Sequence, residues 1–302
     1  MTAITVRAPA KVNVRLSVGP PREDGYHDLV NVFHAVSLFD EVTAEPADRL
    51  RIEVRAAPGS PVPVEGVPVD DGNLAARAAR LVAGRLGVEP RVALRIRKAI
   101  PVAGGMAGGS ADAAAALLAC ARLWDDVGRL DLMALAADLG SDVPFALLGG
   151  TAVGLGRGER LTPLPTGGTF HWVFATAHGG LSTPAVYAEC DRLREDRHVP
   201  PPEASDALAA ALASGDAKEL GAALHNDLQP AALSLKPELR RTLDAGLELG
   251  ALGALVSGSG PTCAFLAESG GHAADLAAAL AEKGVAAFLL CADGPVPGAT
   301  VV

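Results

Sequence analysis

Gly104-Gly105-Met106-Ala107-Gly108-Gly109-Ser110 places four glycines within seven residues of this 302-residue chain. Backbone without Cβ atoms can take left-handed conformations and come close to a ligand. After it, residues 110–124 form an Ala/Leu run that predicts a helix; before it, Val92, Leu94 and Ile96 alternate as a short strand. A helix starting at Ser110 directs unpaired N–H groups and a partial positive charge back at the loop. Together these features suit an anion site for phosphates. No Gly-Lys-Ser/Thr follows, so the segment is not a P-loop, and it does not fit Gly-x-Gly-x-x-Gly. On these residues alone, a plain turn with Ser110 as helix cap fits equally well.

Basic residues are unevenly used: 21 Arg against five Lys, at positions 11, 98, 218, 236 and 283. A lysine within an apolar strand then calls for a reason, and a compact ammonium set against a carboxylate is one. Residues 11–18 alternate, which predicts a half-buried strand. Val12, Val14, Leu16 and Val18 are expected on its apolar face, with Lys11, Asn13, Arg15 and Ser17 on the other.

The elements around these residues follow from composition and pattern. The chain is 49% hydrophobic, and its 34 Gly and 22 Pro fall short of a low-complexity composition. A net charge of −9 and the lack of Lys/Arg clusters argue against nucleic acid or an anionic membrane as partner. The first residues show no apolar core with a cleavage site, and the longest apolar run, 113–121, is far short of a membrane span. Cys120, Cys190, Cys263 and Cys291 match no zinc or disulfide spacing and read as reduced core thiols of a cytoplasmic protein.

Further strands are expected at 30–38, 50–56, 170–176, 254–257, 262–267 and 285–291. Further helices are expected from Asn73 and at 131–139, 183–193, 204–213, 217–225, 237–249 and 273–283, with a short one from Ser141. Residues 149–158 read as a Gly-rich turn region, and the chain beyond Pro295 as a loose tail. The mixture lacks a regular βαβ rhythm, so the class is α+β. Two domains are expected, 1–157 and 158–292, with a tail over 293–302.

Five segments together resemble the GHMP kinase superfamily. They are Pro9-Ala10-Lys11-Val12-Asn13, Asp24-Gly25-Tyr26-His27, Pro101-Val102-Ala103-Gly104-Gly105-Met106-Ala107-Gly108-Gly109-Ser110-Ala111, Leu139-Gly140-Ser141-Asp142-Val143-Pro144-Phe145, and Val256-Ser257-Gly258-Ser259-Gly260-Pro261-Thr262. Their order and spacing agree with the superfamily from residue 9 to about residue 265. The departures are small: Met106, Ala111 and Ser141 stand where Leu, Ser and Ala are common. The resemblance implies a two-domain GHMP kinase fold, ribosomal-protein-S5-like in its N-terminal domain and ferredoxin-like in its C-terminal domain. ATP with Mg²⁺ and a small alcohol substrate would then meet in the cleft between them.

Roles follow from the resemblance residue by residue. The segment from Pro101 to Ala111 would hold the ATP phosphates. Asp142 would be the catalytic base and Lys11 its charged partner; an Asp before a helix is otherwise a cap. Tyr26 and Tyr187, the only tyrosines, would stack a cytosine ring that His27 reads by hydrogen bonds. Asn13 and Thr183 would contact the polyol or diphosphate. Asn73 reads as a helix cap or a nucleotide contact, and Ser110 and Asp112 as open candidates near the metal, with no metal ligand assigned. The substrate implied is a cytidyl diphosphate polyol of the non-mevalonate isoprenoid pathway, and the enzyme a monomer or weak homodimer. Another GHMP kinase acting on homoserine, mevalonate or a sugar, or a nucleotide binder without catalysis, are the competing readings.

Overall fold

The computed structural model describes residues 3–124 and 128–302. Its first sheet is built on a long antiparallel hairpin of β1 (Ile4–Pro21) and β2 (His27–Pro46). β3 (Arg51–Ala56) runs parallel to β4 (Val92–Lys98), which pairs with the C-terminal part of β2. β5 (Thr151–Gly156) pairs with the N-terminal part of β2 and with β6 (Arg160–Pro163). β7 (Phe170–Thr176) starts a second sheet, while the two-residue β8 (His225–Asn226) returns to lie parallel to β1. β9 (Gly253–Val256), β10 (Cys263–Ala267) and β11 (Phe288–Gly294) complete the second sheet in the order β11-β7-β10-β9. The chain ends by adding β12 (Thr300–Val301) to β1.

Helices α1 (Leu74–Leu86) and α2 (Gly108–Leu123) lie in the core with the first sheet. The Ala-rich α2 is buried nearly all round; its small side chains let it sit close to both the sheet and α1. α3 (Leu132–Leu139) and α4 (Val143–Leu148) follow, and α5 (Thr183–Arg194) packs on the second core. The second sheet is covered on both faces. Trp172 and Phe174 join the core shared with Val12 and Val14, and Val173 and Ala175 join the other. No helix among the described residues is long and apolar enough to cross a membrane.

The structure corrects four expectations. In β1 the apolar residues do not share one face: a register shift between Asn13 and Arg15 turns Leu16 and Val18 into the second core, while Val12 and Val14 stay in the first. A β-bulge reverses the side-chain alternation beyond it, which a period of two cannot foresee. Its polar side is not solvated either, since Lys11 is only 5% exposed. Residues 149–158 contain strand β5; Gly154 is glycine because the Phe33 ring and the Gly158 carbonyl fill its side-chain space, not because the chain turns there. The segment beyond Pro295 is ordered, with Val6 paired to Val301 and Pro297 bridged to Gly149. Finally, α2 starts at Gly108, two residues before Ser110, and its cap residue Ala107 adopts φ +61°.

His34 sits fully buried where the two sheets meet, its ring 5.8 Å from Phe170 and 6.0 Å from Trp172. Its Nδ1 lies 2.8 Å from the Thr151 hydroxyl. Burial pulls its pKa down from 6.5 to about 4. Between those values the unfolded chain binds the extra proton and the folded chain does not, so stability is full above pH 6.5 and falls toward pH 4. A His34→Gln variant is expected to lose about 3 kcal/mol less than the wild type over that interval. Urea unfolding at a series of pH values checks this; equal slopes would contradict it.

Candidate active site

A cleft of about 700 Å³ opens between the two sheets. Lys11, Asn13, Tyr26, His27, Asp142, Thr183 and Tyr187 all line it, although they come from four separate stretches of chain. From the glycine segment, Pro101, Ala103, Gly104, Gly105, Ala107, Gly108 and Gly109 reach the wall. Val102 faces outward, Ser110 is off the wall, and Met106 and Ala111 are buried in the core. The loop therefore offers backbone rather than side chains. The first amides of α2 have no acceptor within the helix and open on this cleft, as an anion site requires.

A buried charge cluster holds the loop from below. Lys98, at the end of β4, donates to Asp40 of β2 and to Asp112 of α2, the latter at 2.7 Å. Asp40 also accepts from the amides of Ala99 (2.7 Å) and Ile100 (2.9 Å), where the chain enters the loop. Burial pulls the Lys98 pKa down, but the two carboxylates outweigh it and leave the group raised. Burial pushes Asp112 up to about 7, against the pull of Lys98. Asp112 is thus tied to the buried lysine and does not line the cleft. Asn73 is a cap, its side chain accepting from Ala75 N at 2.8 Å.

Lys11 joins the loop to the other side of the cleft. Its Nζ donates to the Gly105 carbonyl at 2.7 Å and to Asn13 Oδ1, and lies 3.9 Å from Asp142 Oδ2. Burial pulls its pKa below that of an ordinary lysine, and Asp142 opposes the shift. Asn13 is itself held by donating to Asn31 Oδ1 at 2.8 Å. Asp142 precedes α4 but makes no capping hydrogen bond with its side chain. Its carboxylate is left facing the cleft.

At the far end, Tyr26 is 53% exposed on the β1–β2 turn, with the Arg157 guanidinium 5.3 Å from its ring centre. Tyr187 is packed 5.1 Å from the His27 ring at a tilt of 35°. Burial, with Asp142 nearby, pushes the Tyr187 phenol above its ordinary range. His27 is held by Asp191, Nε2 to Oδ1 at 2.9 Å. Thr183 is not the cap of α5; Ser182 holds that position, and the Thr183 hydroxyl lies 2.9 Å from that of Ser259.

The sequence reading missed Asn31, Arg157, Asp191 and Ser259 as parts of this wall. Asp191 was within reach, four residues after Tyr187 and so on the same helix face. Arg157 and Asn31 carry no such signal.

The segment 73–150 matches the family described as GHMP kinases N terminal domain, and 208–286 matches GHMP kinases C terminal. The chain belongs to the GHMP kinases. It is 63% identical to a 4-diphosphocytidyl-2-C-methyl-D-erythritol kinase of Thermobifida fusca (strain YX), covering 100% of this chain and 99% of that one. It is 60% identical to the protein of that name from Streptomyces avermitilis, over 99% of this chain and all of the other. Among solved structures, a 4-(cytidine 5'-diphospho)-2C-methyl-D-erythritol kinase superposes with a TM-score of 0.78 at 36% identity, covering 96% of this chain and 98% of that chain. A homoserine kinase from Cytophaga hutchinsonii superposes at 0.72 with 21% identity, covering 100% and 98%, a likeness of fold alone. The two-domain GHMP kinase fold and the α+β class expected from the sequence are those of the protein.

Two substitutions test the supports of the loop. Gly105 has φ +76°, and a Cβ there would lie 2.1 Å from the Ser257 carbonyl oxygen. Gly105→Ala is expected to cost about 2–4 kcal/mol and to abolish tight ATP binding, read by thermal unfolding and calorimetric titration. Lys98→Met leaves two buried carboxylates without a counter-charge and is expected to cost about 3–5 kcal/mol in urea unfolding. A loss under about 1 kcal/mol would show that the cluster is not what holds the loop.

Proposed function

We propose that this chain catalyses ATP-dependent phosphorylation of the C2 hydroxyl of 4-diphosphocytidyl-2-C-methyl-D-erythritol, giving the 2-phosphate and ADP for the non-mevalonate isoprenoid pathway. One observation carries the reading. The same Lys11 ammonium donates to the carbonyl of Gly105 in the glycine loop and stands 3.9 Å from Asp142, so the loop and that carboxylate share one cleft.

In this reading Asp142 takes the proton of the C2 hydroxyl. The hydroxyl oxygen forms its bond to the γ-phosphorus while the bond from that phosphorus to the β–γ bridging oxygen breaks, and ADP leaves with the electron pair. Lys11 places positive charge beside the transferring group, and the loop amides hold the phosphates in line. Such a transfer is governed by positioning and charge stabilisation, which suits a site made of backbone N–H groups and one fixed ammonium. Mg²⁺ belongs to the same proposal as the ion that neutralises the β- and γ-phosphates. Among the described residues no cluster of three His, Cys, Asp or Glu could hold a metal, so phosphate oxygens and water would supply most of its ligands.

The other end of the cleft suits a cytidyl group. Tyr26 and Tyr187 would stack its base, each contributing about 1–3 kcal/mol. His27, buried beside Tyr187, would read the base edge, and Asn13 and Thr183 would meet the polyol and diphosphate.

Asp142→Asn keeps the shape of the site and removes the proton acceptor. It is expected to bind ATP normally by calorimetry while kcat falls by about 10²–10⁴. Turnover near that of the wild type would exclude Asp142 as the base. Faster turnover of homoserine or mevalonate than of the cytidyl substrate would overturn the substrate assignment.

A further inference from the structure

We propose that Asp191 is a positioning residue for base selection: it fixes the tautomer of His27, so that the imidazole meets the base as a hydrogen-bond acceptor. This would admit a base with an amino group at that edge and turn away one with a keto oxygen. The inference rests on the reading of His27 as the residue facing the base.

The geometry is specific. Asp191 stands one helical turn after Tyr187 on α5, so both project from one face of that helix. Between them they hold the His27 ring, Tyr187 against its face at 5.1 Å and Asp191 on its Nε2 at 2.9 Å. His27 is 6% exposed, and all three residues line the cleft. A carboxylate can only accept, so the proton of a neutral imidazole is drawn to Nε2. Nδ1 then keeps a bare lone pair, and it is the ring's one remaining hydrogen-bonding atom.

An acceptor fixed in this way has a definite preference. Cytosine presents an exocyclic amine that donates to it. Uracil presents a carbonyl oxygen at the same place, and two lone pairs then face each other in a part of the cleft where packing leaves His27 little room to turn. Sites built to pair a donor reject analogues that leave their buried groups unpaired, often by large factors. Without Asp191 the imidazole can move its proton to Nδ1 and serve either base. Asp191 thus acts through His27 and need not touch the substrate.

The test compares kcat/KM for the cytidyl substrate and its uridyl counterpart in the wild type and in Asp191→Leu. The wild type is expected to prefer the cytidyl compound by about 100-fold or more, and Asp191→Leu to lower that ratio at least about ten-fold, through KM more than kcat. An unchanged ratio in the variant would overturn the role of Asp191 and leave the base reading standing. A wild type with no preference would instead remove the base reading itself. A second measurement needs no variant: ¹⁵N spectra of histidine-labelled wild-type protein should show His27 protonated on Nε2 and bare on Nδ1. A proton on Nδ1, in either the neutral or the charged ring, would overturn the inference whether or not Asp191→Leu folds.

Discussion

The buried ammonium of Lys98 is the constraint on which the glycine loop depends. It ties β4, β2 and α2 together through Asp40 and Asp112, and a Cβ on Gly108 would lie only 3.2 Å from it. Charges withdrawn from water in this way contribute little net stability, but they tolerate few alternative arrangements, because each group left unpaired is costly. Asp40 extends the same restraint to the amides of Ala99 and Ile100. The start of the loop and the start of α2 are therefore fixed to one point of the sheet. A loop that presents backbone amides to a cleft needs such fixing, since few of its side chains reach the wall to adjust.

From that anchor the rest of the site is reached through the Gly105 carbonyl. It accepts from Lys11 at 2.7 Å and from the Ser257 hydroxyl at 3.1 Å, and so joins the first sheet to the glycine motif that precedes β10. Asn226 fastens the motif from the other side by donating to the carbonyls of Val256 and Gly258, both at 2.7 Å. Asp227 accepts from Val18 N at 2.8 Å and pairs with Arg194. These bonds hold the two sheets in register across the cleft. The cleft is thus lined by polar groups whose positions are set by one another, as preorganised catalysis requires.

Much of the fold was legible because its signals are local. Residues 73–86, 110–124 and 170–176 announce their helices and strand by caps, alanine runs and apolar stretches; the strand is present with the expected ends and the helices with ends moved by one or two residues. The glycines misled where local rules apply poorly: Gly154 and Gly156 read as breakers, yet they lie in β5, where Phe33 fills the space beside Gly154. The β12 pairing was invisible for a related reason, since two residues carry no periodicity. In the site, Lys11, Tyr26, His27 and Asp142 were singled out by type, scarcity and motif. Arg157 and Asn31 were not, because nothing near them in sequence distinguishes them from other polar residues.

The sequence by itself determined which chemistry was available. It supplied a glycine loop ahead of a helix, a scarce lysine in a strand, an aspartate at a helix start, and two tyrosines with a histidine beside one. Tertiary structure decided how these were used. It assigned Asp112 to the buried lysine cluster and left Asp142 open to the cleft, although both lie at the beginnings of helices. It also turned Leu16 and Val18 away from the face of Val12 and Val14 through a bulge, and brought Asp191 to His27 across 164 residues. The reason is physical: composition and periodicity report what a residue can do within a turn or two of chain. Pairing between distant residues depends on register, packing and burial, which exist only once the sheets have formed.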